Sequence, residues 1–201
     1  MARIPAIERR AALARAALRV VARDGIHAAT TRAIVAEAGM PLASFHYAVA
    51  SREELLRDVV ELVVAGEGSA TEASLALDAP DIRETARRVL GSYLDLVRAD
   101  PGREQAMFEL TQHALRTPSL ADLPEQQYSA YRALVAHLLE AGAERHGIRW
   151  DVPLDTLAGF AVALSDGVTL AWLAARDDVA AEASLDLAAD AIAAHAVPKE
   201  S

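Results

Sequence analysis

The chain of 201 residues has no cysteine, only 4% of it is aromatic, and period-2 alternation of the kind strands need is nearly missing. Without thiols there is no disulfide framework and no thiolate metal site, which suits a reducing compartment. Its longest apolar runs, such as Leu157–Leu164, fall short of the roughly 20 residues that span a bilayer. Arginines and glutamate stand near the N-terminus where a signal peptide would be apolar. A soluble, cytoplasmic protein with no membrane partner is expected. Also missing are a Gly-rich phosphate loop, a His-Glu-x-x-His zinc pattern, a nucleophile elbow and a Cys nucleophile, so no catalytic, metal or cofactor site is expected. His113 and His137 fall on different predicted helices and lack the spacing of a ligand set.

What is present is helical. The chain is 53% apolar and rich in Ala and Leu, with Gly, Pro and Asp punctuating amphipathic stretches. The punctuation predicts helices over Ile7–Asp24, two short ones before Ala50, then Ser51 to about Leu77, Asp81–Ala99, Arg103–Leu115, Leu123–Arg145, Asp155–Ala175 and Glu182–His195. Asp151-Val152-Pro153 reads as a helix start, and Asp177-Asp178 as a separator. No repeat or sustained heptad array interrupts this order.

Thr30–Leu55 carries the sharpest signal. Ile34 to Ala38 repeats small and apolar residues at helical spacing, Gly39 supplies a left-handed stop, and Pro41 can open the next helix because its missing N–H is not needed there. The second helix, Leu42 to about Ala48, is too short for a strut but carries Ser44, His46 and Tyr47, which can reach phosphates or base edges. Ser51-Arg52-Glu53-Glu54 is a capping box. Two short helices joined by a three-residue turn form a helix-turn-helix.

Charge is divided along the chain. Residues 1–60 hold nine Arg against six acids, a net of +3, while 61–201 hold eleven basic and twenty-three acidic residues, a net of −12. Arg3, Arg9, Arg10, Arg32 and Arg52 thus share a segment with the motif, as phosphate affinity requires.

Over roughly residues 7–56 these features resemble the N-terminal domain of the tetracycline-repressor (TetR) family of bacterial transcription regulators. The resemblance rests on Ile7–Asp24 closed by Gly25, the Thr30-Thr31 start, the Ala38-Gly39 turn and the Ser51-Arg52-Glu53-Glu54-Leu55 exit. Where the family usually has a Tyr and, three residues on, a Phe, this chain has His46 and Val49, with Tyr47 one place along. The resemblance implies an all-α fold with a three-helix DNA-binding domain at 1–50 and a six-helix ligand-binding and dimerisation domain at 51–201. It further implies a homodimer on a palindromic double-stranded DNA operator, formed through helices 155–175 and 182–195, and repression relieved by a small-molecule effector.

Within that expectation Thr31, Arg32, Ser51 and Arg52 are phosphate contacts at helix starts, and Leu42, Ala43, Ser44, His46 and Tyr47 approach the groove. Ile34, Ala38, Phe45 and Leu55 are packing residues. Effector candidates are Tyr93, Met107, Phe108, Gln112, His113, Tyr131, His137, Asp166, Thr169 and Trp172, the larger and polar residues of the middle helices. Asp166, a carboxylate inside an apolar run, either meets a ligand or marks close packing with Gly167 at the dimer seam. A helical adaptor for another protein and an all-α enzyme are the alternatives, and neither has use for the short helix at 42–48.

Overall fold

Glycine, proline and the capping aspartates decide where the helices begin and end. The computed structural model describes residues 5–75 and 78–199, so Arg3 and the predicted end of a helix at Leu77 lie outside the described residues. Within them the chain forms α1 (Ala6–Asp24), α2 (Thr31–Glu37), α3 (Leu42–Ala48), α4 (Arg52–Leu75), α5 (Ile82–Ala99), α6 (Pro101–Ala114), α7 (Leu123–His146), β1 (Ile148–Trp150), α8 (Leu154–Ala175), α9 (Asp178–Ala193) and β2 (Ala196–Pro198). The expected all-α class holds, with nine α-helices among the described residues.

The predicted stops work as expected. Gly25, Gly39 and Gly147 sit at φ +85°, +65° and +63° after α1, α2 and α7. Asp100 caps α6 by accepting from the Arg103 N–H at 3.1 Å, and Asp81 caps α5 by accepting from Glu84 at 2.8 Å. The Ser51 hydroxyl accepts from the Glu54 N–H at 3.0 Å. In return the Glu54 carboxylate takes the Ala50 N–H at 2.6 Å, which holds its pKa down.

Three expectations need correction. Asp177 is not part of a separator: its side chain accepts from the Ala180 N–H at 3.0 Å and starts α9 at Asp178, four residues before Glu182. Asp151 does not cap α8, whose N-cap is Pro153; its carboxylate instead meets His195 Nδ1 at 2.9 Å. Two short strands do exist, β1 pairing antiparallel with β2 in the register Ile148 with Pro198 and Trp150 with Ala196. Three-residue strands are too short to show alternation in sequence.

The chain divides into two compact units, one of residues 1–65 with 100–127 and the other of 66–99 with 128–201; the division falls inside α4 and α7. In the first, α1 supplies Leu13, Ala16, Ala17 and Val20 to a core shared with Ile34, Phe45, Leu55, Leu56 and Val59, and with Met107 and Leu110 of α6. The expected packing residues Ile34, Phe45 and Leu55 are buried, and Ala38 packs against the same cluster.

In the second unit α5, α8 and α9 enclose Leu94, Val97, Leu157, Ala158, Ala161, Leu185, Ala188 and Ile192. A charged seam runs beside that core. Asp178, Glu182, Asp186 and Asp190 recur every four residues along α9. Arg98 reaches Asp178 at 2.8 Å and Glu182 at 2.7 Å, Arg87 reaches Glu182 and Asp186, and Arg83 reaches Asp190 at 2.7 Å. Each solvent-screened pair contributes little alone, but their four-residue period matches one axial register of α9 against α5.

α8 is 22 residues long with a mean hydropathy of 1.6 over its most apolar window, long and apolar enough to cross a membrane by length and composition. Its inner face is core. Its surplus apolarity lies outside: Phe160, Ala163, Gly167, Leu170, Ala171 and Ala174 are exposed along one face.

Two outcomes follow. Gly25→Ala should lower the melting temperature more than Gly39→Ala, because both impose a left-handed strain but only at Gly25 would a Cβ stand 3.2 Å from a Glu109 carboxylate oxygen. A loss of about 1–3 kcal/mol against about 1–2 kcal/mol is expected in thermal melts. The carboxyls of Asp178, held first by Trp172 and then by Arg98, and of Glu182, held by Arg98 and Arg87, are depressed. Their stabilisation is present above the ordinary carboxylate range and lost as pH falls through the depressed values, so melts should show stability declining below about pH 4. Asp178→Asn with Glu182→Gln should flatten that decline.

Candidate nucleic-acid interface

α3 presents its side chains to two different surroundings. Phe45 is 2% exposed and Val49, just past the helix, 3%; both join the core of the first unit. Leu42, Ala43, His46 and Tyr47 are exposed, at positions i, i+1, i+4 and i+5, and so form one outward strip, with Tyr47 80% exposed. Ser44 is half-buried beside it. An open cleft of about 600 Å³ runs along this strip, lined by Pro5, Ala6 and Arg9 of the α1 start and by Pro41, Ala43, Ser44 and Tyr47.

α2 begins at the same head. Thr30 caps it, its hydroxyl accepting from the Ala33 N–H at 3.2 Å, which leaves Thr31 half-buried and Arg32 exposed in the first turn. There the helix dipole adds to the guanidinium charge.

Arg52 has a different task from the one its position suggests. Its guanidinium donates to the Ala29 carbonyl and to the Ile26 carbonyl, each at 2.7 Å, and so ties the start of α4 to the segment before α2. Glu109 of α6 holds the same segment from its other side, taking the Ile26 N–H at 2.9 Å. His27 and His113 add an edge-to-face ring contact at 5.7 Å. Burial, with Arg52 and His27 nearby, lowers the pKa of His113.

Most of the basic surplus is likewise spent inside the unit. Arg10 pairs with Glu54 and Asp58, Arg19 and Arg23 with Glu37, and Arg57 with Asp122, all at 2.7–3.0 Å. Of the five arginines expected to serve phosphate affinity, Arg10 and Arg52 brace helices in the fold.

The effector candidates fall into both units. Met107 is core of the first, with Phe108 half-buried, Gln112 exposed and His113 ring-paired. In the second, Trp172 is core, donates Nε1–H to Asp178 at 2.8 Å and lies under the Arg176 guanidinium. His137 is exposed, 3.9 Å from Glu72.

Among the described candidates, two polar contacts tie α8 to its neighbours. The Tyr128 hydroxyl of α7 donates to Asp166 of α8 at 2.6 Å, the Tyr131 ring stands edge-on to Tyr128 at 6.1 Å, and Thr169, 1% exposed, points its hydroxyl at that of Tyr93 at 3.4 Å. Burial raises the Asp166 carboxyl while the Tyr128 hydrogen bond opposes, and burial beside a carboxylate raises the Tyr128 hydroxyl. Sequence reasoning passed over Tyr128, although its spacing of three from Tyr131 puts both on one helix face. It also passed over Glu67, a carboxylate 4% exposed on α4.

The comparisons with known proteins fit this layout. Residues 13–59 match the model of the bacterial regulatory proteins of the tetR family, and residues 82–197, more than half of the chain, match that of the BetI-type transcriptional repressor C-terminal domain. The chain belongs to the TetR family. It is 29% identical over 180 residues to the HTH-type nicotine-responsive transcriptional repressor HdnoR of Paenarthrobacter nicotinovorans, covering 88% of this chain and 89% of that one. Among solved structures, a TetR-family regulator from Rhodococcus sp. superposes with a TM-score of 0.79 at 20% identity, over 92% of this chain and 98% of its own. The multidrug binding protein EbrR, solved with imidazole, gives a TM-score of 0.65 at 26% identity, over 92% and 94%. As a TetR-family chain it is a DNA-binding transcription regulator of the repressor kind.

Arg32 and Arg52 should therefore separate in measurement. Arg32→Ala is expected to weaken operator and non-operator DNA alike and to reduce the salt slope by about one, with an unchanged melting temperature. Arg52→Ala is expected to lower the melting temperature by the loss of two charge-assisted hydrogen bonds, about 1.5–3 kcal/mol each at most. Salt-titrated fluorescence anisotropy and thermal melts distinguish the two.

Proposed function

We propose that this TetR-family chain is a homodimeric repressor that reads a palindromic operator through α3 and leaves it when a small molecule binds its C-terminal region. In this division residues 1–50 are the DNA-binding domain and residues 51–201 the ligand-binding and dimerisation domain, acting in the cytoplasm. The observation that carries the reading is the outward strip Leu42, Ala43, His46 and Tyr47 on a seven-residue helix whose opposite side is core. A helix of that length gains little stability from its own hydrogen bonds, and its exposed Tyr has no packing role. A major groove accommodates it, with Tyr47, His46 and Ser44 toward base edges or phosphates and Leu42 or Ala43 toward a thymine methyl. Thr31, Arg32 and the Ser51 helix start face the backbone, while Arg52 positions them.

The dimer is supported by apolar faces that the fold leaves outside. Leu185, Ala188 and Ile192 of α9 are core, so its share of the surface is Val179, Ala183 and Leu187, exposed at four-residue spacing. With Phe160, Leu170 and the small residues between them on α8, these make an apolar stripe that a second copy of the same pair would cover. Two copies would bring two α3 helices, one for each half-site of a palindrome, and such half-sites repeat about every 34–36 Å along DNA.

Effector relief is supported by the name of the curated relative, a repressor responsive to nicotine, and by the neighbour described as a multidrug binding protein. α4 runs unbroken from Arg52 at the exit of the reading head to Leu75, so an effector that prefers one placement of this helix would shift the population of DNA-competent dimers.

The test is binding to the chain's own promoter region. Anisotropy with promoter fragments should show salt-sensitive, sequence-preferring binding, and Tyr47→Ala should erase the preference while keeping non-specific affinity. Leu170→Asp with Leu187→Asp should give a monomer by light scattering and cost about 100-fold in operator affinity, as expected when two linked half-sites become one. Equal affinity of the wild-type protein for promoter and unrelated DNA would refute the reading.

A further inference from the structure

We propose that α3 selects its operator chiefly through thymine methyl groups, so that each half-site holds adjacent A·T pairs whose methyls meet Leu42, Ala43 and Tyr47 in the major groove. This mode of reading rests on the α3 assignment proposed above and names the class of DNA that α3 prefers.

The side chains that α3 lacks decide the mode. In the major groove a guanine is singled out by a bidentate Arg or Lys, and an adenine by a bidentate Asn or Gln. The chain has no Asn at all, its four Gln are Gln105, Gln112, Gln126 and Gln127 of α6 and α7, and its single Lys is Lys199. Between Thr31 and Ala50, the span that holds α2 and α3, the one Arg is Arg32, in the first turn of α2. The first helix of such a motif crosses the DNA backbone, which leaves Arg32 to a phosphate. Glu37, the one acid in that span and so the one acceptor for a cytosine amino group, is held by Arg19 at 2.7 Å and Arg23 at 3.0 Å.

What α3 does present is mostly apolar. Of its four exposed side chains Leu42 and Ala43 are hydrocarbon, and Tyr47 adds a ring. Pro5, Ala6 and Pro41 continue that apolar surface along the adjoining cleft, which Arg9 also lines. Ser44 is half-buried, and a hydroxyl pairs with either kind of base pair, so it discriminates little. His46, its ring edge-on to Phe45 at 5.8 Å, can donate to or accept from one base-edge atom at a time. The thymine methyl is the base-edge group that an aliphatic side chain can tell from the others. From Leu42 to Tyr47 the helix rises about 7.5 Å at about 1.5 Å per residue, roughly two base-pair steps of about 3.4 Å. Laid along the groove, the strip covers about three successive pairs.

Deoxyuridine in place of thymine removes the methyl and leaves every hydrogen-bonding edge unchanged. Footprinting on the chain's promoter region locates the half-sites, and each thymine in them is then replaced in turn, with binding to full-length wild-type protein and to Leu42→Ala read by fluorescence anisotropy. Wild-type affinity should fall about fourfold for each contacted methyl, at two or more adjacent pairs in each half-site, and should not change for replacements outside them. Leu42 is 43% exposed, so Leu42→Ala should melt as the wild type does. At one sensitive position deoxyuridine should cost that variant nothing further, because the side chain that met the methyl is gone. Promoter preference that survives every replacement in the wild-type protein would overturn the methyl reading. A penalty of equal size in wild type and Leu42→Ala at every position would overturn it too, by assigning the effect to DNA shape. Both results leave the repressor reading intact, whereas a wild-type protein with no preference for unmodified promoter DNA would overturn that reading itself.

Discussion

The reading head depends on how one short segment, Gly25–Thr30, is pinned. Left to itself it would be a loop with unsatisfied backbone groups at a sharp change of direction. Arg52 takes two of its carbonyls from the α4 side, and Glu109 takes an N–H from the α6 side. Gly25 provides the turn that makes room for Glu109. With this segment held, α2 starts where Thr30 can cap it, α3 follows after the Gly39 turn, and Phe45 drops into the same core as Leu13 and Leu55. The exposed strip of α3 is thus positioned through polar contacts made at the segment before α2.

The second unit is organised by charge at its seam and by apolarity at its centre. The α9 acids, four residues apart, meet the α5 arginines along a line, so a slip of α9 by one position would unpair the whole series. That requirement explains why a helix this rich in aspartate and glutamate lies beside a core.

What could be read from the sequence was what depends on near neighbours. Helix stops at Gly25 and Gly39, the cap at Ser51, the helix beginning at Asp81 and the exposed His46 and Tyr47 follow from spacing and backbone preference. Family resemblance supplied the fold. The losses have a common cause, which is that a side chain's partner can lie far along the chain. Nothing near Arg52 announces the Ile26 and Ala29 carbonyls, and nothing near Asp151 announces His195. Asp177 and Asp178 looked like a break because two adjacent acids fit a loop as well as a helix start, and only the bond to Ala180 decides. Met107 and Trp172 have the composition of ligand contacts and the burial of ordinary core. Tyr128 was passed over because its meaning comes from Asp166, thirty-eight residues away.

The small ribbon of β1 and β2 has a mechanical meaning for the outer helices. It joins the residues just before α8 to those just after α9, and His195 with Asp151 fastens the same junction. α8 and α9 are therefore a closed circuit, clasped at the base, and not a hairpin free to spread. A clasped pair keeps its outer apolar face in one shape, so little conformational freedom would be left to lose on covering that face.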